Sequence, residues 1–134
     1  MTTARKSFVA MLAATMFVGS AATASAACLL SDAAGVWIGY SYNNTGDWAT
    51  CRFTIGSTGI VAPTTCKGSS GETAAFTNGK LTLASGPLCI FTGSFILGGE
   101  ANTIKHATLS RDKISFEGVG TFADGTFVFS MTKI

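Results

Sequence analysis

From Val36 to the C-terminus, apolar and polar residues alternate with a period of two, and turn-forming residues break the alternation roughly every 8–12 positions. No stretch in this region carries helical spacing. The pattern predicts strands at Val36–Tyr42, Trp48–Ile55, Ile60–Cys66, Thr73–Thr77, Lys80–Ala84, Leu88–Leu97, Thr103–Ser110, Lys113–Phe122 and Thr126–Lys133. Asn78-Gly79 and Asp124-Gly125 are strong hairpin signals, because a type I′ turn needs positive φ at both central residues. Thr58-Gly59 and Arg111-Asp112 read as two further turns.

Each turn implies a register. Centring on Asn78-Gly79 sets Phe76 opposite Leu81 and Ala74 opposite Leu83. Centring on Asp124-Gly125 sets Phe122 opposite Phe127, Gly120 opposite Phe129 and Gly118 opposite Met131. Glycine facing a large inward side chain relieves crowding where a small sheet coils. Ser115, Glu117, Thr121, Thr126, Ser130 and Thr132 fall on the other face, which is polar. One apolar face, one polar face and short hairpins predict an all-β fold: an antiparallel up-and-down barrel or barrel-like sandwich of 8–9 strands. Of the ten phenylalanines, the eight beyond residue 26 fall mostly on the inward phase, which predicts a barrel interior filled with side chains.

The segment ahead of this pattern reads as a secretory signal peptide. Arg5 and Lys6 form a basic n-region, Phe8 to Gly19 an uncharged apolar run, and Ala24-Ser25-Ala26 a small-x-small cleavage site. Residues 1–26 are therefore expected to be removed, leaving one β domain over 27–134, secreted or periplasmic. The apolar run is too short for a stable membrane-spanning helix, and no second run approaches that length. A membrane-embedded barrel fits poorly too, since several predicted strands fall short of the roughly 9–11 residues needed to span.

Loss of the leader changes the charge. The formal net charge of +2 rests on Arg5 and Lys6, so the remaining chain is neutral, with seven basic and seven acidic residues. Neutrality removes the electrostatic case for nucleic acid. Cys28, Cys51, Cys66 and Cys89 form an even set in an exported small domain, which favours two disulfides over a metal site. A turn at Thr58-Gly59 sets Cys51 opposite Cys66, so Cys51–Cys66 with Cys28–Cys89 is the favoured pairing of three. Ser25-Ala26-Ala27-Cys28 also resembles a bacterial lipobox, although Ser25 stands where a large aliphatic residue belongs. Lipid anchoring through Cys28 is thus the alternative to a disulfide there.

Candidate chemistry is sparse. The single histidine, His106, is placed opposite Glu117 by a turn at Arg111-Asp112, either as an acid–base pair or as an ordinary cross-strand polar pair. Nothing nearby in sequence supplies a nucleophile or an oxyanion hole. Asp47, Glu72, Glu100 and Asp124 are scattered over separate loops, so their spacing proposes no paired-carboxylate chemistry. No catalytic motif occurs, and no enzyme activity, metal or cofactor is expected. The segment Trp37 to Trp48 gathers both tryptophans and both tyrosines around an Asn-rich turn. Tyr42, Asn43, Asn44 and Trp48 are the candidate ligand- or partner-binding residues, since exposed Tyr and Trp beside Asn amides can grip a small ligand or a protein. Asn43-Asn44-Thr45 is also a glycosylation sequon, relevant only to a eukaryotic secretory route.

Gly35-Val36-Trp37, at the start of the first strand, resembles the G-x-W signature of calycin-type barrels, the lipocalins and their relatives. Small exported bacterial metalloprotease inhibitors with a similar barrel carry an early G-x-W followed by a cysteine on the next strand. Cys51-Arg52-Phe53 lies about where that cysteine would be. The resemblance covers the first third of the chain and implies a small barrel in which Trp37 packs across one end. Two disulfides exceed what those inhibitors usually carry, and no second lipocalin motif is present. The expected function is an exported, monomeric, non-enzymatic binding module for a protein or small ligand. The alternative is a structural or envelope-associated surface protein.

Overall fold

The computed structural model describes residues 27–134; the expected signal peptide over 1–26 and its expected cleavage site lie outside the described residues. A single 3₁₀ turn, Leu30–Ala33, leads into nine strands. They are β1 (Gly35–Asn43), β2 (Trp48–Ile55), β3 (Ile60–Val61), β4 (Thr64–Gly68), β5 (Thr73–Ser85), β6 (Ile90–Leu97), β7 (Glu100–Leu109), β8 (Ser115–Phe122) and β9 (Gly125–Lys133). Neighbouring strands are antiparallel, and β1 pairs with both β2 and β9, so the sheet closes into a barrel. Closure leaves no sheet edge exposed for aberrant pairing.

β3 and β4 both lie between β2 and β5 and together fill one position. The sequence pattern reads them as one strand; Ala62-Pro63 breaks it, because proline has no N–H to give to the ladder. The nine strands thus occupy eight barrel positions. Below the break, the register of Ala49 with Gly68 and Thr50 with Lys67 brings Cys51 opposite Cys66. Those two cysteines are bridged, with Cα atoms 4.5 Å apart, and Cys28 is bridged to Cys89.

Three expected turns form differently. No hairpin forms at Asn78-Gly79. Asn78 adopts φ 53° inside a bulge of the 13-residue strand β5, and Phe76 and Leu81 face Leu97 and Gly93 of β6. The preference of Asn-Gly for positive φ is met by one bulge residue, which bends a long strand round the barrel where a turn would have ended it. The β8–β9 turn falls on Ala123-Asp124, so Phe122 pairs with Gly125, Gly120 with Phe127 and Gly118 with Phe129. That is a slip of two residues, and period-two alternation keeps every side chain on its expected face. A Cβ built at Gly118 would come within 2.7 Å of the Phe129 ring, which accounts for glycine there.

The β7–β8 connection spans five residues, Ser110 to Ile114, with Lys113 at φ 63°. The register moves accordingly. His106 faces Val119, and Glu117 faces Thr108 and Ser130, so the expected His106–Glu117 pair is not formed.

The turns before β1, between β5 and β6 and between β7 and β8 gather at one end and close it. Trp37 is 0% exposed, and its indole N–H donates to the Ala33 carbonyl at 3.0 Å. Phe116 packs beside Trp37 and edge-on to Phe91, with centroids 6.0 and 5.2 Å apart. The Lys133 ammonium lies 5.1 Å from the Trp37 ring centroid, a favourable position over an aromatic face. Cys89 lies in the β5–β6 turn, so its bridge ties the N-terminal segment to this end, whereas the sequence pattern placed it within the sheet. The Lys113 ammonium crosses that bridge, 2.8 Å from Cys28 Sγ and 3.4 Å from an Asp32 carboxylate oxygen. Asp32 Oδ2 also accepts the Leu29 N–H at 2.8 Å. That bond first, then the nearby Lys113 and Lys133 charges, holds the Asp32 carboxyl below its ordinary range.

Candidate functional site: a cavity at the barrel mouth

The opposite end carries the β1–β2, β4–β5, β6–β7 and β8–β9 turns, and behind them lies a cavity of about 270 Å³. Its walls are inward-facing side chains: Phe53 and Cys51 on β2, Phe76 on β5, Phe95 on β6, Phe122 on β8, Phe127 and Phe129 on β9. The rings form a connected set, with Phe76 4.9 Å from Phe95 and 4.8 Å from Phe53, and Phe95 5.8 Å from Phe127. The filled interior expected from the phenylalanine count therefore holds only at the closed end. Small residues explain the space above it. Ser41, Ala49 and Ala74 take inward positions where larger side chains would have filled the barrel, while the room beside Gly39 and Gly68 is taken by the Phe53 ring and the Glu72 carboxylate.

The rim is polar. Asp47, Glu72, Glu100 and Asn102 line the cavity's opening, and no Lys, Arg or His does. Each carboxylate stands two residues from an inward side chain, Asp47 before Ala49, Glu72 before Ala74 and Glu100 before Asn102, so all three share the inward phase. The Glu72 carboxylate folds over Gly68 inside the mouth. Among the described residues the one ion pair is Lys113–Asp32 at the far end, so none of these carboxylates is neutralised by a partner. The cavity thus has an apolar floor and an anionic rim.

Of the four residues singled out from sequence, Asn43 and Trp48 border this space, whereas Tyr42 and Asn44 are not among its lining residues. Tyr42 and Trp48 are cross-strand partners on the outward phase of β1 and β2, and Trp48 stacks on Tyr40 at 6.1 Å between centroids. Asn43 and Asn44 stand at the mouth, but their amide oxygens serve the turns. Asn43 Oδ1 accepts the Thr45 hydroxyl at 2.7 Å and the Thr45 and Asp47 N–H groups at 3.0 Å. Asn44 Oδ1 accepts the Thr126 N–H at 3.0 Å, tying the β1–β2 turn to β9. The cavity residues that sequence reasoning passed over are the inward phenylalanines, assigned wholly to core, and the scattered carboxylates. Their signal lay in topology, since an up-and-down barrel puts every second turn at the same end.

No protein-family description matches this chain, and no curated protein sequence does. Solved structures do. A redesigned β-barrel, mFAP1, bound to DFHBI, superposes with a TM-score of 0.64 at 13% identity, covering 78% of this chain and 97% of that one. A second redesigned barrel, mFAP0, also bound to DFHBI, gives 0.60 at 14% identity over 76% and 99% of the two chains. A de novo designed fluorescence-activating β-barrel gives 0.58 at 14% identity over 75% and 93%. At these identities the likeness is one of fold: a small closed β-barrel.

Proposed function

We propose that this protein is an exported, non-enzymatic barrel that binds a small, largely apolar ligand in its mouth cavity. The observation that carries this reading is the phenylalanine-walled space of about 270 Å³ open at one end. It lies near the lower limit of ligand pockets, which begin at roughly 300 Å³. Two similar barrels are bound to DFHBI, which supports reading a barrel of this kind as able to take a ligand. The position of His106, exposed on the outer face of β7, supports a reading without acid–base catalysis. Two disulfides fit an oxidising compartment, and no helix among the described residues is long and apolar enough to cross a membrane. Kinship with calycin-type barrels is part of the same proposal, supported by Trp37 of the G-x-W packing across the closed end.

Titration of the exported protein with 2-naphthylmethanol, a neutral bicyclic probe, tests the reading by calorimetry. Saturable one-to-one binding is expected, and Ala49→Phe, which puts a ring into the mouth, is expected to abolish it while the protein still melts cooperatively. Absence of saturable binding, or binding indifferent to Ala49→Phe, would refute the cavity as the site.

A second reading, docking of a protein partner, rests on the outer wall. Trp48, Tyr42, Val128 and Val119 form a cross-strand row of exposed apolar side chains over β2, β1, β9 and β8. The envelope-anchored alternative is separated by intact mass. A chain beginning at Ala27 that gains four hydrogens on reduction carries two disulfides, whereas one beginning at Cys28 with added acyl mass is anchored.

A further inference from the structure

The rim decides which apolar ligands the cavity favours. All four turns at the mouth carry one carboxylate each: Asp47, Glu72, Glu100 at the start of β7, and Asp124. Lys67, the basic residue nearest this end on β4, sits on the outward phase, one position from inward Cys66 and Gly68. The closed end sets Arg111, Lys113 and Lys133 against Asp32 and Asp112, so its charges nearly balance. A domain neutral overall is therefore negative where the cavity opens.

From this we infer that the cavity takes hydrophobic amines: ligands with a compact apolar or aromatic body and a single ammonium head. The inference rests on the cavity being the ligand site; the carboxylates decide only which occupant is preferred. The body would lie among Phe53, Phe95, Phe122 and Phe129, and the head at the level of Glu72, Glu100 and the Asn102 amide. Three features favour a cation there. A carboxylate accepts hydrogen bonds, and Glu72 and Glu100 have no side-chain donor among the described residues, whereas Asp47 already accepts the Thr45 and Ser69 hydroxyls. Low-dielectric aromatic walls below the opening strengthen the attraction. Ring faces themselves attract cations. A fatty-acid-like ligand would place its carboxylate against three others, with no basic side chain on the rim to receive it. The carboxylates are not grouped as a metal site, since no cluster of three or more potential ligands occurs among the described residues.

The test compares three probes with one body: 2-naphthylmethylamine, 2-naphthylmethanol and 2-naphthoate, each titrated into the exported protein at pH 7 and low salt. The amine is expected to bind about tenfold more tightly than the alcohol, and the naphthoate more weakly than both, as several uncompensated charges at a partly exposed rim allow. The amine-to-alcohol ratio should fall toward one in the double variant Glu72→Gln/Glu100→Gln, and in the unaltered protein at high salt. Equal binding of the three probes, or preference for naphthoate, overturns the amine assignment and leaves the cavity as a ligand site. If none of the three binds, the proposed function itself fails and the amine assignment with it.

Discussion

The two ends of this barrel are built from the same kinds of strand, yet they use their side chains differently. At the closed end Trp37, Phe91 and Phe116 are at most 1% exposed, and a disulfide, an ion pair and an indole hydrogen bond tie the N-terminal segment over them. At the mouth Phe53, Phe95, Phe122 and Phe129 stay half-buried around open space, and the rim carboxylates have no ionic partners among the described residues. One end is packed for stability. The other leaves aromatic surface unsatisfied, which is what a binding site requires.

The strongest way to break this contrast is to attack the plug. Trp37→Ala is expected to cost about 3–5 kcal/mol, read as a shift in the denaturation midpoint, because it removes a fully buried ring and opens a void. Phe95→Ala, whose ring already borders a cavity, should cost clearly less while weakening naphthylmethanol binding. Equal losses from the two variants would mean that the ends are not distinct. Removing the bridge with Cys28→Ser/Cys89→Ser should cost about 2–4 kcal/mol, with probe affinity per folded molecule retained.

Next in size, Gly118→Ala is expected to destabilise by about 1–3 kcal/mol, since its methyl would press on the Phe129 ring and the His106 carbonyl oxygen, 2.7 and 2.6 Å away. A melting temperature indistinguishable from that of the unaltered protein would show that β8 can shift to make room.

Acid sensitivity sharpens the comparison further, because both depressed carboxyls belong to the closed end. Asp32 is held down chiefly by the Leu29 N–H, and Asp112 chiefly by the Ser110 hydroxyl at 2.6 Å. A folded pKa below the unfolded one means stability fully present above the unfolded value and lost as pH falls through the folded value. With ordinary carboxyls near about 3.9, that loss begins below about pH 4. Asp32→Asn should therefore melt below the unaltered protein at pH 6, and the gap should close toward pH 3. A gap of constant size would take Asp32 out of the acid response. The smallest effect is expected from Tyr42→Ala, which lies on the outer wall and should leave naphthylmethanol affinity within about twofold.

How far the fold could be read from sequence depends on which errors preserve parity. The β8–β9 turn slipped by two residues, and Gly118 and Gly120 still faced inward phenylalanines. Burial depends on the face, and the face repeats every two residues. Cys51 opposite Cys66 followed from the same rule. Where the reading failed, a local preference had two possible uses. Asn78-Gly79 satisfies a bulge as readily as a hairpin, and only the pairing of β5 with β4, β3 and β6 decides between them.

The candidate site was less legible. The aromatic segment around Asn43 is conspicuous because its residues are adjacent in sequence, yet alternation turns Tyr42 outward and only Asn43 and Trp48 of the four border the cavity. The cavity arises from residues far apart in sequence, and the volume they leave depends on how eight strand positions close.

By itself, then, the sequence determined the strand faces of β8 and β9 and the cross-strand disulfide, because these follow from period-two alternation and near-neighbour turns. The outer wall over β1 and β2 is more apolar than alternation predicts. Tertiary structure alone decided that the barrel closes, that Cys28 and Cys89 tie down one end, and that the other end is hollow. It also gathered Asp47, Glu72, Glu100 and Asp124, which look unrelated along the chain, around a single opening. The physical reason is topological. Antiparallel strands reverse direction at every turn, so alternate turns meet at the same end, and closure brings distant ones into one electrostatic field.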